Sequence, residues 1–460
     1  MNIRIEKDTM GDVEVPAHVY WGAQTQRSLN NFKIGELQIP KEIIHSLAIV
    51  KKAAAFANCE LNVLASDKKE LIAQVCDEII EGKLDDSFPL IVWQTGSGTQ
   101  TNMNVNEVIS NRAELINGGK LTDDPKFISP NDDVNKSQST NDVFPTAMRI
   151  AAYLLIVDKI LPALEALQYS FEQKASAFHA IIKIGRTHLM DATPMRLGDE
   201  FLTFASQIKF GNSALKNSLF HLSQLPIGGT AVGTGLNTPP NYTKTVVHYI
   251  NLFTQQTFYA AENKFEAMAS HDAFVETSNA LKQLAISITK IANDIRLSGS
   301  GPRSGLAEIN IPQNEPGSSI MPGKVNPTQC EAMTMVCAQV IGNDATIGFA
   351  ALQGHFQLNT FMPVIAYNIV MSIKLLTEAC DSFRIHCIEG ITPNEENIAK
   401  HLNNSLMLVT ALNPHIGYYN AAKIAQHAYT RNITLKEAAL ELKLVSEKDF
   451  DTWVKPEEMI

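Results

Sequence analysis

The chain has 460 residues, 45% of them hydrophobic and 19% charged, with a formal net charge of −10. That length predicts two to four domains, or one extended unit held together by long helices. The acidic balance excludes a general affinity for nucleic acid or anionic membranes, so an acidic ligand needs locally concentrated cations and N–H donors.

Residues 1–45 are mixed and rich in turns, with Trp21-Gly22-Ala23-Gln24-Thr25-Gln26 the most distinctive run. The N-terminus carries no basic-then-apolar leader and no apolar run reaches transmembrane length, which predicts a cytoplasmic protein without a membrane partner. The cysteines (Cys59, Cys76, Cys330, Cys337, Cys380 and Cys387) form no Cys-x-x-Cys pair. They read as small buried hydrophobes in a reducing compartment, and they speak against an iron–sulfur centre.

Apolar spacing is helical from Pro40 to about Glu81, and Lys83 to Pro89 is a polar break. The run Trp93 to Asn104 then carries hydroxyls and amides with almost no charge, and a helical pattern follows through Leu115. It reads equally as a capped helix entry or as a set of neutral donors for a carboxylate. Ser129 to Asn141 is a second polar, donor-rich loop before a long helix.

Five long helical patterns follow, over 143–176, 197–225, 263–298, 328–352 and 361–391. Two carry a 3.5-residue apolar stripe: Phe274, Leu281, Leu284, Ile288, Ile291, Ile295 with Thr277 in the remaining slot, and Ala366, Ile369, Ile373, Leu376, Cys380, Phe383, Cys387. Such spacing buries a seam against neighbouring helices, and helices this long predict a bundle, extended across subunits. Residues 397–460 read as shorter helical pieces with a polar tail. The expected division is therefore a mixed, mostly helical domain over 1–137, a central long-helix domain over 138–396 and a small helical domain over 397–460.

Three further runs bear on chemistry. Gly185 to Ala192 places Arg186, Thr187 and His188 in a short polar turn between apolar segments; a lone histidine is more often structural than catalytic. Gly228 to Gly235 lacks Gly-x-Gly-x-x-Gly spacing and sits in no βαβ pattern, so it reads as structural support, not a dinucleotide site. Gly317 to Pro327 (Gly-Ser-Ser-Ile-Met-Pro-Gly-Lys-Val-Asn-Pro) breaks any helix or strand, and Pro327 opens the helical pattern that follows. It is not a nucleotide phosphate loop: five residues separate Gly317 from Gly323, and Val325, not Ser or Thr, follows Lys324. Its cation, hydroxyls and N–H groups beside a helix start suit an anion, against the alternative of a solvated turn. Glu331, in that helix's first turn, is favourable with the dipole in any case, and it has the chemistry to orient an imidazole.

The Gly317–Pro327 loop resembles the signature loop of the fumarase/aspartase superfamily. Gly323 and Thr328-Gln329-Cys330-Glu331-Ala332 are similar to class II fumarases, whereas aspartases carry alanine after the proline. The similarity runs from about Asp8 to the C-terminus. It implies a mainly α, three-domain fold with a central long-helix bundle. It also implies a homotetramer with active sites shared between subunits, and reversible hydration of fumarate to L-malate in the tricarboxylic acid cycle without metal or organic cofactor.

By the same resemblance, substrate contacts fall on Ser97, Gly98, Thr99, Ser139, Thr140, Asn141, Thr187, Ser319, Lys324, Val325 and Asn326. Hydration needs two proton-handling groups and stabilisation of negative charge. The resemblance assigns the base to Ser318, which needs activation because an ordinary serine is too weakly acidic. His188 with Glu331 handles water, Lys324 and Asn326 stabilise the aci-carboxylate, and Gly317 and Gly323 hinge a closing loop. A second carboxylate site is implied at Ser129, Pro130, Asn131 and Asp132, where Ser129 replaces the usual histidine and puts that site in question. Met190 stands where a glutamine is usual, and Arg303 is a further candidate carboxylate partner. The rivals are an aspartase adding ammonia, and a non-catalytic structural member of the superfamily.

Overall fold

The computed structural model describes residues 2–460 and is mainly helical. It begins with an antiparallel hairpin, β1 (Ile3–Asp8) and β2 (Gly11–Pro16), in which Ile3 faces Pro16 and Asp8 faces Gly11. The helices α1 (Ala23–Asn31), α2 (Lys41–Glu60), α3 (Ser66–Ile80), α4 (Thr99–Ile116), α5 (Thr140–Leu155) and α6 (Leu161–Ala177) follow. A second hairpin, β3 (Ile182–Thr187) and β4 (Met190–Arg196), leads into α7 (Leu197–Leu222). Next come α8 (Tyr242–Thr254), α9 (Lys264–Ala269) and the long helices α10 (Asp272–Ser298), α11 (Thr328–Ala351) and α12 (Met362–His386); shorter helices fill Glu395 to Trp453. Every sheet among the described residues is two-stranded, so helix packing makes the core.

Both 3.5-residue stripes are buried as expected. Phe274, Thr277, Leu281, Leu284, Ile288, Ile291 and Ile295 line one side of α10 with no more than 1% of any residue exposed. Ala366, Ile369, Ile373, Leu376, Cys380 and Phe383 do the same on α12, and Cys387 is buried just past its end.

Three expectations need correction. The pattern over 263–298 is two helices, because His271 takes a positive φ of 60° between α9 and α10. The pattern over 143–176 widens into one π turn at Ile156–Ile160 between α5 and α6. One helical segment, Met362–Gly390, is long and apolar enough by length and composition to cross a membrane, contrary to the reading of the sequence. Half of its most apolar stretch is buried within the protein, and the stripe just described lies on that buried side.

The chain divides into two compact units. The first comprises Met1–Pro162, Gly211–Ala285 and Cys337–Thr377, and the second Ala163–Phe210, Ile286–Val336 and Glu378–Ile460. In the first unit, Lys51 is fully buried within the apolar run of α2 and is the anchor of a polar network described below. The second unit holds a cluster in which Leu408, Leu412, Ile424, Leu435, Ala438 and Phe450 pack with Ile184 of β3. This roots the second hairpin in apolar contacts.

Candidate active site

In the first unit two helix starts lie side by side. Gly98 is the N-cap of α4 with φ 75°, and a Cβ there would stand 2.6 Å from the Phe144 ring of α5, so only glycine permits both the backbone and the approach. Ser139 is the N-cap of α5. Its hydroxyl accepts from Asn141 N, and Asp142 Oδ1 accepts from Ser139 N at 2.9 Å, closing a capping box. Asn102 Nδ2 donates to Thr140 Oγ1 at 3.0 Å, joining the two helix starts, and the Ser97 and Thr99 hydroxyls lie 2.7 Å apart. Ser97, Gly98, Thr99, Ser139, Thr140 and Asn141 are thus gathered into one donor-rich area where both helix dipoles favour an anion.

A buried network holds this area in place. Lys51 Nζ donates to Asn135 Oδ1 at 2.8 Å and Gln138 Oε1 at 3.0 Å, and Asn102 and Asn106 also donate to Asn135. Burial pushes the Lys51 ammonium down to about 7, against the opposing field of Asp142. Burial likewise pushes Asp142 up to about 6, although N–H groups of Ser139, Thr230 and Gly228, and the Lys51 charge, favour its ionised form. The Oδ2 of Asp142 accepts from Gly228 N and Thr230 N, both at 2.9 Å, and Asn141 Nδ2 donates to Ala231 O. The glycine-rich run 228–235 is therefore tied directly to the candidate substrate segment, consistent with its reading as support.

Sequence reasoning passed over Lys51, Asn135 and Asp142. Two signals were available: a lysine inside an apolar helical run, and the Ser-x-x-Asp spacing of a capping box at Ser139.

The second unit carries the remaining candidates. Thr187 ends β3, and His188 and Leu189 form the two-residue hairpin turn, with φ of 57° and 62°. Positive φ at both central positions is what a type I′ turn demands, normally of Asn-Gly, so His188 sits in a strained, exposed tip.

The Gly317–Pro327 loop is held by its own contacts. Gly317 N donates to Lys324 O at 2.8 Å, Asn326 Nδ2 donates to Gly317 O at 2.6 Å, and Lys324 Nζ donates to Asn326 Oδ1. The Ser318 Oγ accepts from the N–H groups of Ile320 (3.2 Å) and Met321 (3.0 Å). Donors aimed at a hydroxyl oxygen favour its deprotonated form. Ser319, Lys324 and Val325 are exposed along the same loop, with Gly323 at φ 80°. Glu331 lies exposed in the first turn of α11. Among the described residues neither the His188 ring nor the Glu331 carboxylate has a hydrogen bond or ion pair within the chain. Arg303 is exposed beyond α10.

At the second implied site, Ser129 is turned inward on its own segment. It caps the single turn Pro130–Val134: its Oγ accepts from Asp132 N and donates to Asp132 Oδ2, both at 3.1 Å, and Ser129 N donates to Asp133 Oδ2. Asn131 and Asp132 are exposed beside it. Among the described residues no three His, Cys, Asp or Glu side chains converge as a metal site would require.

Donor-rich helix starts, a serine on two N–H groups and a strained histidine turn suit proton transfer on a small anion, and comparison with known proteins gives that chemistry a family. Residues 11–342 match the family model described as a lyase, and residues 408–460 match that of the fumarase C C-terminus. The chain is 64% identical to the fumarate hydratase class II of Pasteurella multocida (strain Pm70), covering 100% of this chain and 99% of the relative. It is 54% identical, with the same coverage, to that of Bacillus subtilis (strain 168). The crystal structure of recombinant class II fumarase from Schistosoma mansoni superposes with a TM-score of 0.97 at 43% identity, covering 100% of this chain and 99% of the other. Matched from end to end in both sequence and fold, this chain belongs to the class II fumarate hydratase family.

Proposed function

We propose that this protein catalyses the reversible hydration of fumarate to L-malate, as a step of the tricarboxylic acid cycle in the cytoplasm. The full-length identity to proteins named fumarate hydratase class II carries this reading. Five of its six free cysteines are buried, in keeping with a reducing compartment.

In the direction from malate, Ser318 takes the proton from the carbon beside one carboxylate. The two N–H groups on its oxygen and the nearby Lys324 cation support that role. The carboxylate becomes an aci-dianion, whose charge Lys324 and Asn326 meet in the same loop. The hydroxyl then leaves from the adjacent carbon, protonated from His188 or a water that His188 and Glu331 hold, and fumarate and water are released. Ser97, Gly98, Thr99, Ser139, Thr140 and Asn141 bind carboxylate through hydroxyls, amides and helix N–H groups, joined by Thr187, Ser319 and Val325. Segments from different copies of the chain complete each site, so the homotetramer is the active form. The second carboxylate site at Ser129, Pro130, Asn131 and Asp132 is weakened, because the Ser129 hydroxyl is spent on Asp132. The three-part division at 137/138 and 396/397 stays part of this reading.

The test follows fumarate's ultraviolet absorbance on adding purified protein, with and without ammonium. Loss without ammonium, yielding malate, is expected. Loss only with ammonium makes the protein an aspartase, and no loss from folded protein makes it a non-catalytic member of the superfamily.

A further inference from the structure

The hairpin β3–β4 poses a physical problem. A two-stranded hairpin is marginal by itself, and two non-glycine residues at positive φ add roughly 1–2 kcal/mol of strain each. The pairing is also interrupted, with a register shift between Ile184 and Arg186. Gly185 occupies the shift, where a Cβ would come within 2.8 Å of Thr193 O. Packing of Ile182 and Ile184 holds the far end of the strand, but the end next to the turn needs another anchor.

That anchor is Glu308. Its side chain is fully buried, and it meets both polar side chains that β3 sends toward it: Arg186 Nη2 donates to Oε1 at 2.7 Å, and Lys183 Nζ lies 3.0 Å from Oε2 as a charge contact. Lys183 also pairs with Glu200 at 2.9 Å, which balances the second cation. Burial raises the Glu308 carboxyl, but Arg186 and Lys183 together hold it below the usual carboxylate range. The backbone around Glu308 is fixed as well. Its N–H donates to Ser298 O, its carbonyl accepts from Asn394 N, and Ile309–Asn310 pair with Thr392–Pro393. Buried ion pairs contribute little net stability against apolar substitutes of the same size, because desolvation offsets the attraction. What such a pair does supply is a fixed geometry.

We propose that Glu308 is a positioning residue for His188. Through Arg186, two residues before the histidine, the buried carboxylate sets the height and tilt of the hairpin tip and keeps the turn in its left-handed conformation. Glu308 also stands nine residues before Gly317, immediately ahead of the short strand Ile309–Asn310 that leads toward the Ser318 loop, so one carboxylate holds the roots of both segments. The catalytic part of this inference rests on the proposed fumarate hydration; the positioning part does not.

The test uses the full-length protein as Glu308→Gln, His188→Asn and the double variant. Glu308→Gln keeps the shape and removes the charge. Hydrogen exchange is read first: peptides spanning residues 185–191 should exchange at least tenfold faster in Glu308→Gln, while α10 and α12 keep their protection. Unchanged exchange there, or faster exchange everywhere, overturns the proposal whatever the substrate is. In steady-state assays Glu308→Gln should lower kcat about 10–100-fold with KM within about threefold. In the His188→Asn background it should cost less than twofold more. An equal loss in both backgrounds, or an unchanged kcat, also overturns it. A wild-type protein that leaves fumarate untouched sinks the proposed function alone, since the exchange result still decides the positioning. If Glu308→Gln fails to fold, Arg186→Gln removes the same bridge from its more exposed side and is read identically.

Discussion

Ser318 has two oxygen partners of the kind that stabilise an alkoxide, the N–H groups of Ile320 and Met321, and it lies on an outward-facing loop. Ser318→Ala deletes one oxygen and no packing, so stability should change by no more than about 0.5 kcal/mol. If the hydroxyl is the base, kcat should fall roughly 10²–10⁴-fold. Near-normal turnover, with circular dichroism unchanged, would return the assignment to another residue.

Lys51 and Asp142 make a pH argument. Asp142 has a folded value raised from 3.8 to about 6, so the stability it contributes is complete below pH 3.8 and is lost as pH rises through 6. Lys51 has a folded value lowered from 10.5 to about 7, so its contribution is present above pH 10.5 and is lost as pH falls through 7. Together they place a dip in stability near pH 6–7, where both are charged and buried. Urea unfolding of the wild type and Asp142→Asn should show their stability difference shrinking as pH goes from 4 to 6. Parallel curves would mean that Asp142 titrates as an ordinary carboxylate.

At the scale of elements, the long helices were legible because burial on one side imposes a period on the sequence. Phe274 to Ile295 and Ala366 to Phe383 show it without interruption, and each of those stripe positions is buried. The break at His271 was not legible: it contains neither glycine nor proline, and the apolar period runs through it. The β3–β4 hairpin was read only as a turn between apolar segments, because His188-Leu189 replaces the Asn-Gly that announces a type I′ turn. Of the candidate site, the loops were visible as polar, glycine-punctuated runs. Lys51, Asn135 and Glu308 were not, since each has meaning only through partners distant in sequence: Lys51 and Asn135 meet across 84 residues, and Glu308 and Arg186 across 122.

The hairpin makes its own prediction. Leu189 is exposed and strained, so Leu189→Gly removes the cost of a left-handed β-carbon and loses little contact. After the extra freedom of glycine in the unfolded chain is subtracted, it should stabilise the protein by about 0.5–1 kcal/mol, measured by urea unfolding. Destabilisation would show that Leu189 is covered in the working assembly.

At the scale of the whole molecule, α11 leaves an apolar surface open. Cys330, Met333, Cys337, Val340, Asn343, Ile347 and Ala350 form one buried line along it. The rest of its surface is uncovered yet still largely apolar, with Ala332, Met335, Ala338, Ile341, Ala345 and Phe349 all exposed. A helix that is apolar all round belongs inside a larger core. The other long helices differ in degree: α7 leaves Leu202, Phe210 and Phe220 open, whereas α12 exposes only Ile385 among its large apolar residues. In the proposed homotetramer other copies of the same helix would cover α11, which is how a shared active site and a helical core would arise together. Replacing Met335 (67% exposed) and Phe349 (63% exposed) with glutamate places charges at that seam without touching the buried line. Analytical ultracentrifugation should then find a smaller species with helix content retained. If segments from different copies complete each site, as proposed, fumarate turnover should fall with the fraction of protein in the tetramer. A double variant that dissociates and keeps full activity per chain would place the complete site within one protomer.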